Sequence, residues 1–124
     1  MSETHPELVF VKGPQAGQRV ELGGAVAVLG RSGGCDILIS EEFASREQAR
    51  YERLQAGPTL ENLSDKGTWI NGKRFKSGAK VLLETGDLIG MGRETQLLFV
   101  EAGTDPQEAV AQLNAAAGKR KDAF

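Results

Sequence analysis

The pair Asn71-Gly72 constrains the fold of this chain more than any other short stretch. It separates the run Thr68-Trp69-Ile70 from the run Lys73-Arg74-Phe75, and Asn-Gly between two such runs is the strongest short-range signal for a β-hairpin, because both residues tolerate positive φ. The polar run 64–67 (Ser-Asp-Lys-Gly) precedes the hairpin and predicts a surface loop. Binding residues are often carried on loops that a sheet holds in place, so this loop is a first candidate for a functional site.

Short apolar runs separated by turn residues continue along the rest of the chain. Residues 48–54 have some helical propensity, but the stretch is short and lies between strands, so we predict a strand there. Gly23-Gly24 predicts a two-residue turn between the second and third strands. Around ten short strands at this spacing indicate an all-β sandwich or barrel, and the 16 glycines fit a chain with many tight turns. The predicted strands are residues 8–11, 19–22, 25–29, 36–39, 48–54, 58–63, 68–70, 73–75, 80–83, 87–91 and 95–100.

The two ends of the chain lack this pattern. Residues 1–6 show no periodicity and predict a flexible N-terminal tail. Residues 105–108 (Asp-Pro-Gln-Glu) combine an N-cap, a proline at the first helical position and a capping-box glutamate, and Gly118 is a natural helix stop before a basic end. We therefore predict three segments, namely the tail, a β-sandwich over residues 7–102, and a linker with a short C-terminal helix over residues 103–124.

Composition limits the classes of function. A chain of 124 residues has the length of one domain, and 15 Lys and Arg against 17 Asp and Glu give a net charge of −2, so no overall positive field favours nucleic acid. The single cysteine, Cys35, excludes an intrachain disulfide. No apolar run approaches the ~18 residues of a membrane helix, and the polar N-terminus does not resemble a signal peptide. We expect a cytoplasmic location and no membrane partner.

The reactive side chains argue against an enzyme. His5 is the only histidine and lies in the predicted tail, so Ser-His-Asp and Cys-His arrangements have no credible base. One histidine and one cysteine without ligand spacing predict no metal site. The Gly-rich segment 30–34 does not match the Gly-x-x-x-x-Gly-Lys-Ser/Thr pattern of a nucleotide-binding P-loop, and a strand rather than a helix follows it. We expect no catalytic residue, no metal and no cofactor.

Besides the loop at residues 64–67, two loops carry side chains that suit a phosphate group. Arg31 follows a buried strand inside the Gly-rich loop, and Ser45-Arg46 lies in the long polar loop before the next strand. A guanidinium binds phosphate through two parallel charge-assisted hydrogen bonds. If both loops lie at one end of the sandwich, two guanidinium groups and a hydroxyl converge there, whereas exposed arginines in loops are more often simply solvated.

The order of these residues resembles that of a forkhead-associated (FHA) domain. The order is Gly30-Arg31, then Asp36-Ile37, then residues 45–49, then residues 60–72, then Gly86-Asp87. The resemblance covers about residues 7–101 and implies an FHA-like (SMAD/FHA) β-sandwich of about eleven mostly antiparallel strands. It also implies binding of phosphothreonine peptides by loops at one end, with no catalytic activity and no cofactor.

The resemblance assigns expected roles to residues at matching positions. Arg31 and Ser45 match the phosphate contacts of the family, and Arg46 matches a basic residue that commonly assists them. Gly30 and Gln48 match positions that shape or brace the loops. Gln48 stands where the family has a histidine, and the fold need not suffer because an amide also donates hydrogen bonds.

Four consecutive residues that lead into the first run of the hairpin match positions that flank the bound peptide, namely Asp65, Lys66, Gly67 and Thr68. Lys66 stands where an asparagine of the family grips the peptide backbone, and a lysine has no acceptor for that contact. Asp65 stands where a Ser or Thr usually helps the phosphate, and a carboxylate within ~6 Å would repel a phosphate by a few kcal/mol before screening. Alternatively, Asp65 turns outward or pairs with Lys66 or Arg31.

Three hypotheses about function follow. The first is a non-catalytic module that recognises phosphothreonine on a protein partner through Arg31, Ser45 and Arg46, with Lys66 on flanking residues. The second keeps the fold without phosphate recognition, as a phospho-independent interaction or regulatory domain of a larger signalling protein. The third is regulation of an attached effector domain, with the predicted C-terminal helix as the joint.

Overall fold

The structure is a computed structural model that describes residues 5–102. The predicted C-terminal helix and most of the predicted tail lie outside the described residues, so the three-segment division remains a prediction. The described part holds eleven strands, namely β1 (Glu7–Lys12), β2 (Arg19–Glu21), β3 (Val26–Gly30), β4 (Ile37–Leu38), β5 (Ala49–Leu54), β6 (Gly57–Asn62), β7 (Thr68–Ile70), β8 (Lys73–Phe75), β9 (Lys80–Leu82), β10 (Leu88–Met91) and β11 (Thr95–Val100).

The strands form two sheets, which confirms the predicted all-β sandwich. One sheet has six strands in the order β2-β1-β11-β10-β7-β8, and the other has five in the order β4-β3-β5-β6-β9. Strands β3 and β4 pair in parallel, and all the other neighbouring strands of the two sheets pair antiparallel. Within residues 5–102, no helix has the length and apolar character needed to cross a bilayer.

The hydrophobic core lies between the sheets and takes alternate residues of each strand. Phe10, Ile89 and Leu97 enter it from the six-stranded sheet, and Leu29 and Tyr51 enter it from the five-stranded sheet, each no more than 1% exposed. Burial of a side chain of this size stabilises the fold by about 1.5–3 kcal/mol. The alternation also fixes strand register, because a shift of one residue would turn the apolar set outward.

The predicted hairpin is present between β7 and β8. Asn71 has φ 52° and Gly72 has φ 86°, so both turn residues lie in the left-handed region that a type I′ turn requires. The Asn71 side chain donates a hydrogen bond to Asp87 (2.9 Å) and accepts one from the Leu88 backbone (3.0 Å). The sequence signal and this side-chain contact therefore specify the same turn.

The prediction of a two-residue hairpin turn at Gly23-Gly24 is wrong. Gly23-Gly24 does not connect two paired strands, because β2 belongs to the six-stranded sheet and β3 belongs to the five-stranded sheet. The glycine pair lies where the chain crosses between the sheets. The ambiguous segment 48–54, in contrast, is the strand β5 that the short spacing predicts, and it pairs with β3 and β6.

Candidate phosphate-binding site

The loop after β3 and the loop before β5 are joined through their backbones at one end of the sandwich. The Arg31 N–H donates to the Ser45 carbonyl (3.0 Å), and the Ser32 N–H donates to the Arg46 carbonyl (3.1 Å). Gly30 makes this approach possible, because a Cβ at that position would overlap the Arg46 carbonyl oxygen. The three residues predicted to contact phosphate are therefore held in two adjoining segments.

The loop between β6 and β7 meets the same place through a pair of hydroxyl groups. The Oγ atoms of Ser45 and Ser64 lie 2.6 Å apart, and the Ser64 Oγ accepts a hydrogen bond from the Lys66 N–H (3.1 Å). Ser64 is buried, whereas Ser45 is partly exposed. When Ser64 donates to Ser45, the Ser45 proton is free to donate to a ligand oxygen.

The side chain of Gln48, which is 1% exposed, connects these loops from inside the protein. Its Oε1 accepts from the Ser45 N–H (2.9 Å), and its Nε2 donates to the Gly67 carbonyl (2.9 Å) and the Thr68 hydroxyl (2.8 Å). The amide thus uses its acceptor oxygen and both of its donor hydrogens. This geometry is what a residue that braces the loops would need.

Asn62 continues this network, although it is not among the site residues predicted from the sequence. Its Oδ1 accepts from the Ser64 N–H (3.0 Å) and from the Thr68 hydroxyl (2.7 Å). Its Nδ2 donates to the Ser64 carbonyl (2.9 Å) and the Phe75 carbonyl (2.8 Å). The local signal was an Asn two residues before a Ser at a strand end, which is typical of a side-chain-closed turn.

Arg74 is a second residue that sequence reasoning missed. From β8, its Nε donates to the Lys66 carbonyl (3.1 Å) and its Nη2 donates to the Asp65 carbonyl (3.2 Å). The Arg74 side chain packs over Gly67, where φ is +97° and a Cβ would lie 2.6 Å from the Arg74 Nε. Gly67 is therefore required both by its backbone conformation and by the space that Arg74 occupies.

The arginines of the two adjoining segments remain available to a ligand. The Arg31 Nε donates to the Ala44 carbonyl (3.2 Å), which orients the guanidinium and leaves its terminal nitrogens unused by that bond. Both Arg31 and Arg46 are exposed, and neither forms an ion pair with any residue in the described range 5–102. The Arg31 and Arg46 guanidinium groups lie in the segments that adjoin the Ser45 hydroxyl. Without a carboxylate partner among the described residues, they suit an anionic ligand.

Asp65 and Lys66 lie at the exposed edge of this site. Among residues 5–102, the Asp65 carboxylate forms no hydrogen bond or ion pair, so the pairings with Lys66 and Arg31 are not formed. Thr68, which was expected to flank a peptide, is instead 1% exposed and bonded to Gln48 and Asn62. The described residues also contain no group of three His, Cys, Asp or Glu side chains that could hold a metal ion.

Comparisons with known proteins agree with this architecture. A family model described as the FHA domain matches residues 27–92. The DNA damage response protein kinase DUN1 of Saccharomyces cerevisiae is 34% identical over an alignment of 100 residues, and the match covers 73% of this chain and 19% of that kinase. The chain therefore spans about a fifth of the length of this relative.

Two solved structures have similar folds. The solution structure of the FHA domain of an Arabidopsis thaliana hypothetical protein has a TM-score of 0.74 and 29% identity, over 82% of this chain and 88% of that one. The yeast Dun1 FHA domain, solved in complex with a doubly phosphorylated peptide derived from Rad53 SCD1, has a TM-score of 0.67 and 30% identity. That match covers 82% of this chain and 77% of the other.

Proposed function

Because the chain belongs to the FHA domain family, we propose that it is a non-catalytic module that recognises phosphothreonine on a protein partner. One observation carries the proposal most directly, namely the hydroxyl pair of Ser45 and Ser64, because Ser45 lies in the segment that also fixes Arg31. A hydroxyl donor and an oriented guanidinium offer a phosphate hydrogen bonds from two directions. The Dun1 FHA domain, at 30% identity, was solved with a phosphorylated peptide, which supports the same class of ligand.

The proposed roles follow from what each side chain can donate. Arg31 supplies the principal charge-assisted hydrogen bonds through its terminal nitrogens, Ser45 donates its hydroxyl proton, and Arg46 adds a second cation. Hydrogen bonds to charged groups contribute about 1.5–3 kcal/mol each, so a few of them acting together give micromolar affinity. Gly30 and Gln48 act indirectly, because they hold the loops that present these groups.

Two exposed charged residues at the edge of the site, Asp65 and Lys66, should set its affinity for a phosphopeptide. In the proposal, Asp65 and Lys66 lie beside the peptide backbone, and Gly67 and Thr68 shape the loop beneath it. The exposed Asp65 carboxylate opposes a phosphate, whereas the Lys66 ammonium attracts acidic flanking residues. Because a carboxylate repels phosphate and a lysine has no acceptor for the peptide backbone, we expect affinity below that of a site with a hydroxyl at position 65 and an amide at position 66.

A second function remains a candidate because of Asp65. The exposed Asp65 carboxylate follows Ser64 in the sequence and has no hydrogen-bond or ion-pair partner within residues 5–102, and its repulsion of a phosphate makes phospho-independent binding of a protein partner the second candidate. In either case, we expect the module to act in the cytoplasm and to serve a larger signalling protein with an attached effector domain. Neither proposal involves nucleic acid or a membrane.

Calorimetric titration with a phosphothreonine peptide library and matched unphosphorylated peptides distinguishes the two functions. The library should include singly and doubly phosphorylated members. Arg31→Ala should lower phosphopeptide affinity by about tenfold or more, as expected for the loss of a charge-assisted pair. The matched control is Arg50→Ala, which removes a half-exposed arginine of β5 that pairs only distantly with Glu52 (3.6 Å). Equal binding of both peptide sets, unchanged by Arg31→Ala, would leave the phospho-independent function as the correct one.

A further inference from the structure

A buried carboxylate lies in the same segment as the proposed phosphate contacts. Glu41 belongs to the loop before β5 and is only 6% exposed. Its two oxygens accept hydrogen bonds from the backbone N–H groups of Arg93, Glu94 (3.0 Å) and Thr95 (2.8 Å), and from the Thr95 hydroxyl (2.7 Å). Two donors lie in the turn between β10 and β11, and the other two are on Thr95, the first residue of β11, so a single side chain joins the end of this turn to the loop.

The turn is shaped to receive this carboxylate. A Cβ at Gly92 would overlap the Glu41 Oε2, so a glycine is required beside it. The Arg93 guanidinium lies 3.9 Å from the centroid of the Phe43 ring, which adds a cation–π contact between the same two segments. Burial raises the pKa of Glu41, but the hydrogen bonds from the turn outweigh burial and hold that pKa below its usual value.

Glu41 is connected to the proposed phosphate contacts by a short path. The Ala44 N–H donates to the Glu41 carbonyl (3.1 Å) and closes a tight turn. The carbonyl of the same Ala44 accepts the bond that orients the Arg31 guanidinium (3.2 Å), and Ser45 is the next residue. A shift of the Glu41 side chain would therefore move the acceptor that orients Arg31 and the hydroxyl of Ser45.

We propose that Glu41 is a positioning residue for phosphopeptide binding. Its side chain fastens the loop before β5 to the β10–β11 turn and thereby holds Ser45 and the Arg31 guanidinium in place. This inference rests on the proposed function. Preorganised ligand contacts bind more tightly because less conformational freedom is lost on association. Loss of the fastening should therefore weaken binding even in protein that remains folded.

The chain offers a matched control at the opposite end of the sandwich. Asp87 is fully buried, and its two oxygens accept from the Asn71 side chain (2.9 Å) and the Glu84 N–H (2.8 Å) beside the hairpin turn. Glu41→Gln and Asp87→Asn are both isosteric, and each replaces an acceptor oxygen with an NH₂ group that faces a donor. Both variants should lower the melting temperature.

Binding is compared by titration with a phosphothreonine peptide that the wild type binds, well below both melting transitions. Glu41→Gln should lower affinity about tenfold, as the loss of one charge-assisted hydrogen bond would, whereas Asp87→Asn should bind like the wild type. Glu41→Asp, which keeps the charge, should recover part of the affinity. Unchanged affinity in Glu41→Gln, or an equal loss in both isosteric variants, would overturn the inference.

Amide hydrogen exchange separates this inference from the function on which it rests. If the wild type binds no phosphopeptide, the proposed function fails. The positioning role is then decided by exchange at the Arg31 and Ser45 amides, which are bonded to the Ser45 carbonyl and to Gln48. Faster exchange there in Glu41→Gln but not in Asp87→Asn would support it, and equal exchange in the two variants would refute it.

Discussion

The two ends of the sandwich are stabilised in different ways. At the hairpin end, the turn Asn71-Gly72 adopts positive φ angles that its own residue types favour. At the site end, loops of irregular conformation are held by side chains from elsewhere in the chain, above all Gln48 and Arg74. Changes at the hairpin end should therefore affect stability alone, whereas changes at the site end should affect stability and ligand binding together.

Two glycine substitutions test this contrast with the largest expected effect. Gly30→Ala places a Cβ against the Arg46 carbonyl, so it should cost about 3 kcal/mol of stability, the upper end for overpacking, and abolish phosphopeptide binding. Gly72→Ala meets no atom within 4 Å but keeps φ at +86°. It should cost about 1 kcal/mol and leave binding unchanged. Urea unfolding and calorimetry measure both quantities, and binding that survives Gly30→Ala would contradict the contrast.

Replacement of the buried amide tests whether one side chain holds the site loops. Gln48→Leu leaves the Ser45 N–H and the Gly67 carbonyl without their partners, so we expect a loss of about 2–3 kcal/mol of stability. Amide exchange should rise across residues 45 and 64–68 and stay unchanged at Asn71 and Gly72. A uniform rise over both ends would show that Gln48 contributes only to global stability.

The exposed edge of the site should affect affinity with little effect on stability. The double change Asp65→Ser and Lys66→Asn removes a carboxylate that opposes phosphate and supplies an amide acceptor for the peptide backbone, so it should raise phosphopeptide affinity about tenfold. Because both side chains are exposed, stability should change by no more than about 0.5 kcal/mol. Unphosphorylated peptides serve as the control. No gain in affinity would mean that these side chains lie away from the ligand.

The smallest predicted effect is a pH dependence of stability. The pKa of Glu41 is lowered in the folded state by the hydrogen bonds from the β10–β11 turn, although burial opposes them. The unfolded state therefore binds the proton more readily, so Glu41 contributes stability above the unfolded pKa and loses that contribution as pH falls through the folded value. Melting temperatures measured across the acid range should fall less steeply in Glu41→Gln than in wild type. Parallel curves would count against this role.

The contrast also explains how far the sequence could predict the molecule. Local turn chemistry and short apolar runs predict the hairpin and the eleven strands, because each depends on neighbouring residues. The roles of Asn62, Ser64 and Arg74 depend on strand register, which brings together residues distant in sequence. Gly23-Gly24 shows the same limit, because a turn signal cannot indicate which sheet the next strand will join.

Some site residues could be predicted from sequence motifs, and others depend on contacts between distant parts of the chain. The order of motifs identified Arg31, Ser45 and Gln48, whose positions the structure brings together. Glu41 carried no local signal, because its four donors follow it by more than fifty positions. That the Asp65 carboxylate has no partner among residues 5–102 likewise required coordinates, since no rule of sequence distinguishes an unpaired carboxylate from a paired one.

Titration of ¹⁵N-labelled protein with a phosphothreonine peptide and its unphosphorylated match tests the central claim most directly. We predict amide shifts at Arg31, Ser45 and Lys66 with the phosphopeptide alone, and no shift at Asn71 or Gly72 with either peptide. Shifts centred on another surface, or the same shifts with both peptides, would contradict phosphate recognition at this end of the sandwich.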